Sequence, residues 1–125
     1  MFVIDDDMTI NLTRGDTATI RVSASIGAEQ YYFKAGDIVR LKVFAKKDCT
    51  DVVLQKDVEV TEIAESVDIT LNSEDTKIGN VISKPTDYWY EVELNPETVP
   101  QTIIGYDEDG AKIFKLYPEG GVASE

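Results

Sequence analysis

The sequence predicts an all-β domain built as an antiparallel sandwich, and three observations predict it. Apolar and polar residues alternate with period two along six separate runs. Gly, Pro, Asn and Asp punctuate the chain at short intervals between those runs. No stretch carries a 3.6-residue periodicity long enough to supply a helical layer. Period-two alternation buries one strand face and wets the other, as antiparallel sheets do. Many short strands with turn signals between them and no long helix lead to a β-sandwich or a small barrel, and the sandwich is the preferred reading. The arrangement expected is immunoglobulin-like, with about eight strands.

The elements follow in chain order. Met8, Ile10 and Leu12 alternate with Thr9 and Asn11, and Ala18, Ile20 and Val22 alternate with Thr19 and Arg21. Arg14-Gly15-Asp16 separates these two strands, and Ala35-Gly36-Asp37 precedes a third through Val39, Leu41 and Val43. Gly15-Asp16 and Gly36-Asp37 each stand four residues before an Ile or Leu, which predicts the same tight turn into a strand twice. Val52, Leu54, Val58 and Val60 share one parity, interrupted by Lys56. Val67, Ile69 and Leu71 form the fifth strand, and Tyr88, Tyr90, Val92 and Leu94 the sixth, which Asn95-Pro96 ends. Two shorter strands fit Gln101 to Tyr106 and Lys112 to Tyr117, joined by a turn through Asp107-Glu108-Asp109-Gly110. Ser73-Glu74-Asp75-Thr76 predicts a single helical turn with Ser73 as its cap.

Length sets one domain over residues 1–125, with 1–7 expected as an arm and 118–125 as a flexible tail. A chain of this size buries roughly two-thirds of its unfolded surface, enough for a core without staples. Lys and Arg total 12 against 24 Asp and Glu, a net charge of −12, which repels phosphate backbones and disfavours nucleic acid as a partner. One Cys excludes an internal disulfide, and the lack of His removes the usual general base and the commonest metal ligand. Met1-Phe2-Val3-Ile4 runs at once into three Asp residues, so neither an export signal nor a membrane segment is expected.

Chemistry-bearing motifs are scarce. There is no phosphate loop and no nucleophile elbow. Cys49, between Asp48 and Asp51, reads as an ordinary loop thiol. Glu91 and Glu93 share one strand face, but nothing beside them implies the cleft that a glycosidase needs. Asp5-Asp6-Asp7 and the Asp107, Asp109, Gly110 group lack the ordered ligands of a calcium loop. Arg14-Gly15-Asp16 spells an adhesion tripeptide that turn chemistry already explains. No catalytic residue, cofactor or metal is expected, and the chain is read as a non-enzyme. The candidate interface consists of Trp89, on the solvent parity with Glu91 and Glu93, and of Tyr31-Tyr32-Phe33. The same aromatics keep open a glycan-binding or adhesion alternative.

Taken together, Leu12-Thr13-Arg14-Gly15-Asp16-Thr17, the Gly36-Asp37 turn with its Val39 to Val43 strand, Val67 to Leu71 with Ser73-Glu74-Asp75-Thr76, and Tyr88 to Leu94 before a closing hairpin through Phe114 form an order that resembles a known group. It is similar to small β-sandwich proteins from the structural modules of tailed phages and prophages of Gram-positive bacteria, especially the N-terminal immunoglobulin-like domain of siphophage upper baseplate proteins. The resemblance implies a virion structural protein of a tail, baseplate or head fibre, made in the host bacterial cytoplasm. It also implies partners among other virion proteins, homo-oligomers and no membrane. Baseplate proteins continue into a long C-terminal region, whereas residues 116–125 close this sequence, so a stand-alone adaptor or accessory virion protein is expected.

The charge is uneven. Residues 1–60 hold 8 basic and 10 acidic residues, net −2, and residues 61–125 hold 4 and 14, net −10. A mixed face bearing Arg21, Arg40, Lys42, Lys46 and Lys47 and an acidic face bearing Glu91 and Glu93 are therefore expected, suited to stacking of copies or to a basic partner.

Overall fold

A computed structural model describes residues 1–108 and 110–119, with Ile26 described by its backbone. Asp109 of the expected turn and residues 120–125 of the expected tail lie outside the described residues. Eleven strands and no helix are present among those described: β1 (Phe2–Ile4), β2 (Ile10–Thr13), β3 (Ala18–Val22), β4 (Ala24–Ile26), β5 (Glu29–Tyr31), β6 (Ile38–Phe44), β7 (Val52–Glu59), β8 (Val67–Leu71), β9 (Thr86–Leu94), β10 (Gln101–Ile104) and β11 (Lys112–Tyr117). Eight coincide with the expected strands. The other three are β1, which turns the expected arm into a strand, and the β4–β5 hairpin.

The largest sheet runs β1-β2-β11-β9-β6-β7, with β10 also paired to β9. β3 pairs β8 in a second sheet, and β4 pairs β5 in a third. One face of the large sheet supplies Ile10, Leu12, Val39, Leu41, Val43, Tyr90, Val92, Leu94, Phe114 and Leu116 to the core. Ala18, Ile20 and Val22 of β3 and Val67, Ile69 and Leu71 of β8 complete the same cluster. Both β3 and β8 alternate buried and exposed at every step, which is the sequence alternation made visible.

Not all pairing is antiparallel. β2 runs parallel to β11, Leu12 lying opposite Leu116. Alternation has the same period in both kinds of ladder, so it cannot report strand direction. The two Gly-Asp turns match their expected conformations, with φ of +87° at Gly15 and +97° at Gly36, where an L side chain is strained. The Ser73–Thr76 segment is a turn capped differently from expectation. Asn72 Oδ1 accepts from Asp75 N (2.9 Å) and Asp75 Oδ2 accepts from Asn72 N (3.0 Å), so Asn72 rather than Ser73 is the cap. Fully buried Thr76 fastens this turn to the Gly15 turn. Its hydroxyl donates to Asp16 O (2.7 Å) and accepts from Gly15 N (3.0 Å).

Lys56 has the inward parity of β7, opposite Leu41, yet its ammonium reaches Asp75 Oδ2 at 2.8 Å. An inward charge on an edge strand costs little when it is partly exposed and paired.

Candidate functional site

β9 carries two faces. Tyr90, Val92 and Leu94 enter the core, while Trp89, Glu91 and Glu93 lie half-buried on the opposite face. Register places Phe44 of β6 on one side of Trp89 and Ile113 of β11 on the other. Phe44 is only 4% exposed although it stands outside the main core, so Trp89 has an apolar neighbour on this outer face. Lys42 stands opposite Glu91, and Arg40 opposite Glu93.

The cations of this face are already committed. Arg40 makes two hydrogen bonds to the Asp57 carboxylate (2.8 and 2.9 Å) and lies 3.6 Å from Glu97. Those bonds hold Asp57 below the usual carboxylate range despite its partial burial. Lys42 leans diagonally to Glu93 Oε1 at 3.4 Å, an ion pair without hydrogen-bond geometry, since that oxygen is sealed from solvent and accepts no bond. Lys115 lies 3.9 Å from Asp87. Among the described residues Glu91 has no ion-pair or hydrogen-bond partner, and burial, then repulsion from Glu93, pushes its carboxyl up against the pull of Lys42.

The position of Glu91 is unusual in the sheet. β11 pairs with β9 up to Tyr90, and β10 takes over on the same edge at Val92. Glu91 therefore sits at the break between the two neighbouring strands. Gly105 leaves the sheet here, and a Cβ on it would fall 2.6 Å from Thr102 Cγ2 and 3.9 Å from Glu91 Cβ. Cys49 approaches from the β6–β7 loop. Burial, then the Glu91 and Asp48 carboxylates, raises its thiol pKa, which opposes a nucleophilic role.

The Tyr31-Tyr32-Phe33 cluster is not joined to this face and is mostly not a surface. Phe33 is fully buried in the core, which corrects its assignment to an exposed aromatic group. Tyr31 packs edge-on against Phe33, with ring centroids 5.4 Å apart, and only Tyr32 is exposed. Tyr31 and Phe33 share a parity and turn inward together, while Tyr32 has the other parity. The Tyr31 hydroxyl donates to Asp37 Oδ2 (2.7 Å), and the Lys34 amide donates to the same oxygen (3.1 Å). Asn95 Nδ2 donates to Asp37 Oδ1 (3.1 Å). Burial alone would raise the Asp37 carboxyl, but these donors outweigh it and hold it below the ordinary value, while Tyr31 is pushed up to about 12. Asp37 is thus a structural knot that sequence reasoning read only as part of a turn.

Arg14 is also structural. It is 8% exposed, and its guanidinium donates to Ile78 O, Gly79 O (2.9 Å) and Glu119 Oε1 (2.6 Å), so the Arg14-Gly15-Asp16 tripeptide is not displayed. Asp5 and Asp7 accept from Asn11 Nδ2 and Thr9 N, each at 3.0 Å. Among the described residues no three His, Cys, Asp or Glu side chains are grouped to hold a metal. Nor is any helix long and apolar enough to cross a membrane. Two open clefts flank β10, about 380 Å³ beside Tyr31 and Gln101 and about 670 Å³ beside Arg21 and Tyr106.

The expected separation into a mixed and an acidic face is not what the fold makes. Arg40 and Lys42 from the first half interleave with Glu93 and Glu91 from the second, and Arg21 on β3 pairs with Asp68 on β8 at 2.9 Å. No protein-family model matches the chain, and no similar curated protein or solved structure was found.

Proposed function

We propose that this chain is an immunoglobulin-like β-sandwich acting as a non-enzymatic structural unit of a phage or prophage virion, in a tail, baseplate or head fibre. Three features support the reading. The order β11-β9-β6-β7, with β3-β8 on the same core, supports an assignment to the G-F-C-C′ and B-E strands of a variable-type immunoglobulin sandwich. The turn-and-strand order of the sequence resembles that of siphophage baseplate domains. The observation that carries the assembly role is the pair of terminal strands in the large sheet. Among the described residues β1 and β7 each pair on one side only within that sheet. Val3 and Ile4 are exposed along β1, and Val52 and Val53 along β7.

Apolar side chains on unpaired strand edges favour strand-to-strand contact with another chain. Strand directions follow from the pairings: β1 and β7 both run parallel to β9, so a translated copy brings its β1 alongside β7 in parallel. Such a heterologous contact repeats along an axis, as assembly proteins require. The glycan alternative draws less support, since Phe33 is fully buried and only Tyr32 of the Tyr31-Tyr32-Phe33 cluster is exposed. The test is to purify virions by density gradient from the strain that encodes the chain and to search them by mass spectrometry. Its presence at a fixed ratio to capsid protein supports the reading. Its confinement to the particle-free supernatant refutes it.

A further inference from the structure

The outer face of β9 has one carboxylate that the fold leaves unmatched. Among the described residues Arg40, Lys42 and Lys115 each lie within ion-pair distance of an acid, and Glu91, which Lys42 attracts from across the ladder, lies within that distance of no cation. Glu91 also stands where β11 gives way to β10, so no strand lies alongside it on that edge. Trp89 is two residues away on the same face, a separation of roughly 7 Å along a strand. Spacing and parity put a half-buried indole and a half-buried carboxylate next to each other on one face.

We propose that Trp89 and Glu91 form a receiving site for an arginine side chain presented by a partner protein. The guanidinium is the group that fits both elements: it stacks on an aromatic face and donates in parallel to a carboxylate. An ammonium is a point charge and meets only one of the two demands. Charge complementarity favours the same occupant, since the chain carries −12 and the cations of this face are already engaged. Taking the guanidinium out of water strengthens the cation–π contact. Burial and Glu93 raise the Glu91 carboxyl, so a cation arriving there relieves an existing penalty.

This inference rests on the assembly reading and adds the chemistry of one contact to it. Trp89 is the single tryptophan, so its emission reports on the site alone. The experiment titrates the full chain at low salt with capped Gly-Arg-Gly, Gly-Lys-Gly and Gly-citrulline-Gly peptides, following Trp89 fluorescence. The expected result is a saturable change with the arginine peptide and weaker binding of the other two. Glu91→Gln should weaken the arginine peptide by about tenfold, the loss of one charge-assisted pair. Glu62→Gln, an exposed acid in another segment, controls for net charge and should leave binding unchanged. Equal losses in the two variants, equal binding of citrulline or lysine, or no saturable change each overturn the proposal. A chain found in virions that fails this titration loses the arginine site and keeps the assembly role; one that passes it but is absent from virions does the reverse.

Discussion

Replacing Asp37 with Ala removes the acceptor of three donors at once: the Tyr31 hydroxyl, the Lys34 amide and Asn95 Nδ2. Asp37 is 2% exposed, whereas Tyr31 is half-buried and Lys34 exposed, so water re-satisfies some of what is lost. An unsatisfied buried polar group costs about 1–3 kcal/mol. With the part-exposed donors discounted, the total is about 3 kcal/mol. For a chain of this length that lowers Tm by about 10 °C. Thermal and urea unfolding followed by circular dichroism, on both proteins and as a function of pH, measures it. The folded Asp37 carboxyl lies below its ordinary value of about 3.9, so its contribution is complete above that pH and disappears as pH falls through the folded value. The gap between wild type and Asp37→Ala should therefore be constant near neutrality and narrow below about pH 4. A variant as stable as wild type at pH 7, or a gap that stays constant into strong acid, refutes the reasoning.

Further outcomes follow from the other contacts. Thr76→Val keeps the shape of a fully buried residue but deletes its bonds with Asp16 O and Gly15 N, and should cost about 2 kcal/mol by urea unfolding. Lys56→Met should change stability by less than about 1 kcal/mol by urea unfolding, because the pair is partly exposed and Asp75 keeps the Asn72 amide as a donor. Asp75→Asn should cost more than Lys56→Met in the same assay, since it weakens the acceptor of both Lys56 and the Asn72 amide. In wild type the folded Asp75 carboxyl is lowered, chiefly by the Lys56 bond, so its contribution holds above the ordinary carboxylate value and fades as pH falls below it.

Much of the fold was legible because alternation along one strand is a local property. The eight expected strands are those whose apolar residues face the core or whose edges lie beside it. β4 and β5 escaped because Ser25, Glu29 and Gln30 are exposed, so three-residue strands show no alternation to read. β1 escaped because Phe2, Val3 and Ile4 are uniformly apolar. The parallel β2–β11 pairing joins distant parts of the chain, and no local pattern encodes its direction. Lys56 was visible as a break in parity, but Asp75, its partner, was not. The candidate site divides the same way. Parity placed Trp89, Glu91 and Glu93 on one outer face. That Lys42 pairs with Glu93 and leaves Glu91 unmatched depends on the β6–β9 register, which one strand cannot disclose. Phe33 was misread because three adjacent aromatics were treated as one group, although alternation already separates Tyr32 from its neighbours.

The central claim is that the sheet edges make this chain an assembly unit. Sedimentation velocity from micromolar to millimolar protein, on wild type and on Val53→Lys, tests it most directly. Wild type should shift to larger species as concentration rises, while Val53→Lys, with a charge placed on the exposed β7 edge, should stay monomeric. Identical behaviour of the two proteins, whether monomeric or associated, would contradict it.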